Sequence, residues 1–116
     1  MLTLYDYLDS ILEENKHSRW LNGSRMNYLA SEIMKSLEIT DAMEIESALK
    51  RTFYACSVLQ IPFDHNFEKI YCVEKKQVKD DWKISPFACY LLIINCNPKY
   101  RLVAKAQLYF AMERQK

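Results

Sequence analysis

The stretch "ISPFACYLLIINCNPKYRLVAKAQLYFA", residues 84–111, decides the fold. It contains two apolar runs, one opened by Ser85-Pro86 and the other by Asn97-Pro98. Ser and Asn are preferred N-cap residues, and proline suits the first helical position, where its missing N–H has no intrahelical partner anyway. The residue before a proline is also driven out of the helical region, as an N-cap requires. The spacing therefore predicts one helix over about 86–95 and another over about 98–114, joined by the short turn Asn95-Cys96-Asn97. The first is apolar on nearly every side from Phe87 to Ile94, which places it in the centre of a domain. It falls well short of the ~20 residues of a membrane span. The second is amphipathic, with Leu102, Val103, Ala106, Tyr109 and Phe110 on one stripe. At 100° per residue, Arg101 and Lys105 point away from Val103 toward solvent. The two helices abut because a central apolar helix needs immediate cover.

Working toward the N-terminus, Leu4, Leu8, Ile11 and Leu12 form a stripe that predicts a helix over about 4–15. Thr3 is its expected cap, and Leu2 with Tyr7 its expected hydrophobic staple. Residues 15–24, with Gly23 and Trp20, break the pattern and read as a loop or short extended piece. Met26, Leu29, Ile33 and Leu37 predict a helix over about 29–37. Residues 40–59 form the next helix, with Asp41 and Glu44 resembling a capping box. Its buried face is Ile45, Leu49, Thr52, Phe53 and Cys56, which turns Lys50 and Arg51 outward. Pro62 ends that stretch.

Residues 63–84 carry the weakest signal. Phe67, Ile70, Tyr71 and Val73 fit either a short helix or an extended piece. "EKKQVKDD", 74–81, reads as an exposed turn or hairpin tip, and Trp82 and Ile84 alternate with charges as a short strand would. Gly23 is the chain's single glycine, and tight antiparallel turns usually want glycine. The expected fold is α+β and mostly helical. It is a single compact domain over 1–116, with a short strand or hairpin around 71–84 and a C-terminal helical hairpin.

Composition sets the limits. A chain of 116 residues, 50% hydrophobic and 27% charged, is one ordinary globular domain and not a disordered segment. One glycine excludes any Gly-rich phosphate loop. Cys56, Cys72, Cys89 and Cys96 make no C-x-x-C pair, so no zinc knuckle is written here. They read as free thiols, buried where they fall in apolar runs, in a reducing compartment. No leader-like segment opens the chain, so a soluble cytoplasmic protein is expected, with no membrane partner. Net charge is +1, but residues 1–48 carry −5 and 49–116 carry +6. Such asymmetry marks either a nucleic-acid face or two halves of one fold attracting each other.

Signals for catalysis are poor. Asp64-His65 could partner a cysteine, but Cys56 and Cys89 read as buried, whereas catalytic thiols need an exposed, electropositive setting. Asp80-Asp81 and Glu13-Glu14 are adjacent pairs whose side chains diverge. No third metal ligand accompanies His65 and Asp64, and no cofactor is expected. Lys99, Arg101 and Lys105 are the first candidates for contact with DNA phosphates, followed by Lys50, Arg51, Lys75, Lys76 and Lys79. The competing class is a protein-interaction module, a homodimer or a partner-binder. Tyr5, Tyr7, Trp20 and Tyr28 would be its anchors.

"SPFACYLLIINCNP" followed by "VAKAQLYFAMERQK" resembles the closing segment of the phage-type BRO N-terminal domain family, in the branch of DNA-damage-inducible protein D and RhuM virulence proteins. That branch carries S-R-Y-A-C-Y-L, then N-x-x-P, then A-x-G-Q-T-Y-F-A-x-Q-T-R-R-Q. Ser85, Ala88, Cys89, Tyr90, Leu91, Asn95 and Pro98 match. Ala104, Gln107, Tyr109, Phe110, Ala111, Arg114 and Gln115 follow at similar spacing. Ala55-Cys56, Phe67 and Ile70 fit the family's A-C…H-F-x-x-I, and residues 28–39 are a weaker likeness of W-S-A-R-x-L-x-x-L-G-Y. The likeness covers about residues 50–116, fades over 26–49 and does not reach 1–25. Glu32 stands where the pattern has Arg, and Glu38 and Ala106 where it has Gly. The family's proteins usually continue past the R-R-Q element, so the resemblance implies a short, divergent member. It also implies a non-enzymatic, DNA-binding-type domain linked to phages, mobile elements or damage responses. Most matching residues read as core, so the likeness speaks to fold more than to function.

Overall fold

A computed structural model describes residues 4–17, 26 and 28–114. In chain order the elements are α1 (Leu4–His17), β1 (Tyr28–Leu29), α2 (Ala30–Ser36), α3 (Ala42–Val58), β2 (Phe67–Glu74), β3 (Gln77–Ile84), α4 (Pro86–Ile94) and α5 (Arg101–Arg114). The mostly helical α+β architecture is the one expected. The strands form one antiparallel sheet in the order β1-β3-β2, with Ile84 paired to Tyr28 on one side and Phe67 on the other.

Helix α4 is the centre of the body. Ala88, Cys89, Leu92 and Ile93 are fully buried, and α1, α3 and α5 pack around them. Its start is the one its cap predicts: Ser85 Oγ accepts from the Ala88 N–H at 3.1 Å, with Pro86 in the first turn. The same hydroxyl donates to Asn66 Oδ1 at 2.6 Å, and Asn66 Nδ2 reaches the Pro62 carbonyl at 2.7 Å. Asn66 is therefore a buried polar residue with its groups satisfied, and it ties the entry to β2 to the start of α4. Leu8 and Ile11 cover α4 from α1, and Val103, Ala106 and Phe110 are the buried stripe of α5. Tyr90 and Phe110 bring their ring centroids to 4.7 Å across α4 and α5. The acidic N-terminal helix is thus part of the body. Its expected cap Thr3, its staple residue Leu2, and Trp20 and Gly23 lie outside the described residues.

Three sequence expectations need correction. Helix α5 begins at Arg101, not at Pro98. Asn97 Oδ1 accepts from the Lys99 N–H at 2.9 Å and its carbonyl from the Tyr100 N–H at 3.3 Å, so a closed turn precedes the helix. Asp41 caps α3 by accepting from the Met43 N–H at 2.9 Å, but Glu44 does not complete a capping box. Its carboxylate turns instead to Arg51, two turns along the same helix, and to the Asn97 N–H, 3.2 Å away. Finally, the segment that fitted helix or strand is strand throughout, and the hairpin is longer than expected. β2 and β3 pair over all eight residues of each, and only Lys75 and Lys76 form the turn.

That turn is built without glycine. Lys75 and Lys76 both take left-handed backbone angles, φ 50° and 64°. Two helix ends do the same. Glu38 (φ 58°) follows α2, where Ile39 N–H bonds to the Met34 carbonyl and Glu38 N–H to that of Lys35. Gln60 (φ 57°) follows α3 with the same pair of bonds, Ile61 to Cys56 and Gln60 to Ser57. Both are Schellman ends, which usually place glycine at this position. Each of these four residues bears a β-carbon in a region that costs roughly 1–2 kcal/mol.

Candidate nucleic-acid interface on the last helix

The outer side of α5 is set by its inner side. Val103, Ala106 and Phe110 face the core, so Arg101, Ala104, Lys105 and Leu108 are exposed. Arg101 and Lys105 are one helical turn apart, and neither makes an ion pair with a described residue. No acidic residue lies in the first turn of the helix. Lys99, in the turn just before, is exposed and holds its Nζ 5.4 Å above the Tyr100 ring. A cation over an aromatic face keeps its charge while its stem is steadied.

The turn that carries Lys99 is fixed from three directions. Arg51 donates from Nε and Nη2 to the Asn95 carbonyl, at 2.9 and 2.6 Å, which satisfies the C-terminal end of α4. Glu44 Oε1 accepts from Arg51 Nη2 at 3.0 Å and from the Asn97 N–H at 3.2 Å. Gln107 Nε2 donates to the Ile93 and Cys96 carbonyls at 3.1 and 3.0 Å. Arg51 is therefore a structural clamp beside the candidate face, although the sequence places it among the outward cations.

The remaining candidates lie elsewhere. Lys50 pairs with Glu46 one turn away at 3.1 Å on the exposed side of α3. Lys75 and Lys76 form the hairpin tip, and Lys79 lies 3.9 Å from Glu74 beside it. The hairpin leaves the body next to Ser85, at the N-terminal end of α4, whereas Lys99 and Arg101 follow the C-terminal end. Of the eight candidate cations, Arg101 and Lys105 share the outer side of α5 with Lys99 in the turn before it, Arg51 braces that turn, Lys50 lies on α3, and Lys75, Lys76 and Lys79 lie on the hairpin. Sequence reasoning gave Glu44 a different role, in a capping box, and marked Gln107 only through the family likeness; the contacts both make here cross between elements and form no local pattern.

The thiols and the proposed aromatic anchors are mostly engaged. Cys56, Cys89 and Cys96 are buried and Cys72 is exposed. Burial pushes Cys96 up to about 12, with Glu44 adding to the rise and Arg51 opposing it; burial raises Cys56 as well. A thiol held protonated is a poor nucleophile. His65 is exposed, and no group of three or more metal-ligating side chains gathers among the described residues. Tyr28 is buried and shares a 2.5 Å hydrogen bond with Ser10. Tyr7 donates to Glu32, and Tyr109 to Asp9. Tyr5 is about half exposed and packs edge-on against Tyr109. No helix among the described residues is long and apolar enough to cross a membrane. Compared with known proteins, the chain matches no family model, no curated protein and no solved structure.

Proposed function

We propose that this chain is a non-enzymatic, regulatory-type domain that contacts DNA phosphates through the outer face of α5. The observation that carries the reading is that Arg101 and Lys105 lie one turn apart on the exposed side of α5, just after the exposed Lys99, with no described carboxylate paired to Arg101 or Lys105. Cations so placed neutralise phosphates and release counterions without reading bases. The exposed Ala104 between Arg101 and Lys105 leaves room for a close backbone approach.

The likeness to the BRO N-terminal family supports the reading from another side. Several residues of the quoted pattern hold structural posts here. Ser85 caps α4, Gln107 secures the turn before α5, and Glu38 occupies a left-handed position where the pattern has glycine. These posts speak to kinship of fold, and the basic face carries the functional part.

The test is fluorescence anisotropy with random duplex and single-stranded DNA at low and moderate salt. Three phosphate contacts give a slope of log affinity against log salt of roughly −3 on duplex. The Arg101→Glu/Lys105→Glu variant, folded by circular dichroism, loses at least tenfold in affinity and most of that slope. Absence of wild-type binding at low salt would overturn the reading and leave the protein-interaction alternative.

A further inference from the structure

The β2–β3 hairpin is an arm. Beyond its base, residues 71–80 are all exposed. An isolated two-stranded hairpin is marginal in water. Yet this one carries apolar side chains outward, with Tyr71 65%, Val73 76% and Val78 67% exposed. Val73 and Val78 are direct cross-strand partners, so they form one apolar patch just behind the tip. The tip itself places lysine at two left-handed positions where Asn-Gly is the favoured pair. Over residues 74–79, three lysines against one glutamate give +2.

A groove of about 650 Å³ lies beside the base of the arm, between α2, the loop after it, the first half of α3 and β3. That is the size of a typical binding site. Met34, Ile39, Ile45, Leu49 and Trp82 give it apolar walls. Glu38, Asp80 and Asp81 against Lys35 give its rim −2. Lys69, 3.4 Å from Asp80 on the neighbouring strand, reduces this but leaves the site acidic. Asp81 is fixed by Ser31, whose N–H and hydroxyl donate to its carboxylate at 3.1 and 2.5 Å.

We propose that the arm of one copy seats its Val73–Val78 patch in this groove of a second copy, with Lys75 and Lys76 against Glu38 and Asp80. Shape and charge match: an apolar patch with a +2 tip meets an apolar groove with an acidic rim. The occupant is a second copy because an arm cannot fill its own groove. Asp80 and Trp82 of its own strand β3 already form one wall, and a strand rise of about 3.3 Å per residue carries the tip roughly 13–20 Å outward from them. Arm and groove are neighbours on one chain, so the exchange is reciprocal and closes as a two-fold dimer. This goes beyond the DNA reading and uses none of its α5 residues.

Sedimentation velocity across a concentration series tests it. The wild-type chain should sediment as a dimer at tens of micromolar, and Val73→Asp/Val78→Asp as a monomer. Lys75→Glu/Lys76→Glu and Glu38→Lys/Asp80→Lys should each weaken association at least tenfold, and mixing these two charge-reversed chains should restore a dimer. Circular dichroism confirms that each variant is folded. A wild type that stays monomeric overturns the proposal. So does a dimer that ignores the arm variants, or an arm variant that loses only DNA binding. Because Arg101 and Lys105 are intact in every chain, the DNA reading can fail or stand independently.

Discussion

The α4–α5 pair and the β2–β3 arm are both hairpins, but they are held in opposite ways. α4 has Ala88, Cys89, Leu92 and Ile93 fully out of water, and its backbone ends are bound by its own N-cap Ser85 and by Arg51 of α3. The arm has solvent on both faces over residues 71–80 and is anchored only near its base, by the Asp81–Ser31 and Ser85–Asn66 bonds. Burial makes the first a rigid scaffold. The second rests on ladder bonds and cross-strand pairs, each worth less than 1 kcal/mol or so. Surfaces poised for partners are drawn from such weakly held elements.

The widest gap between the regions is in core truncation. Leu92→Ala should cost about 2–5 kcal/mol, whereas Val78→Ala in dilute solution should stay within about 0.5 kcal/mol. Urea unfolding monitored by circular dichroism measures both, and equal losses would erase the distinction.

Alkali sharpens the comparison next. Cys96 is raised in the folded body to about 12, so the unfolded chain loses this proton first. Stability is intact below pH ~9 and declines as pH rises toward 12, by up to about 1.4 kcal/mol per unit. Tyr109, raised to about 12 by its bond to Asp9, adds in the same direction. The urea midpoint followed from pH 8 to 11 should fall less steeply in Cys96→Ala. An unchanged slope would remove Cys96 from the account.

Asp81 joins the arm to the body through α2. Leu29, at the N-cap of α2, makes no side-chain cap bond, and Asp81 supplies that bond from 50 residues away in the chain. Asp81→Ala should cost about 1–2 kcal/mol and speed amide hydrogen exchange in the arm and α2 but not in α4. Uniform acceleration would mean that the arm is not a separate unit. The smallest effect has the opposite sign. Glu38→Gly should gain about 1 kcal/mol by relieving its left-handed backbone, read as a higher melting temperature.

The parts legible in sequence are those written locally. Ser85-Pro86 set the start of α4, the all-apolar run 87–94 set its burial, and the stripe through Val103 and Phe110 set which side of α5 faces out. From that stripe, Arg101 and Lys105 could be placed correctly. The arm was harder to read because both its faces are wet, so no buried face imposes a clear alternation. The shortage of glycine also misled, since Lys75, Lys76, Glu38 and Gln60 take left-handed positions without it.

The amino-acid sequence by itself determined a mostly helical α+β domain, its central helix and its basic last helix. Backbone capping and 3.6-residue periodicity act within one or two turns and need no partner. The tertiary structure alone decided that α5 starts at Arg101 and that Arg51 serves as a clamp. It also decided that Asp81 caps a distant helix and that an acidic groove lies beside a basic-tipped arm. Each of these depends on which surfaces meet across tens of residues, and no local pattern encodes that meeting.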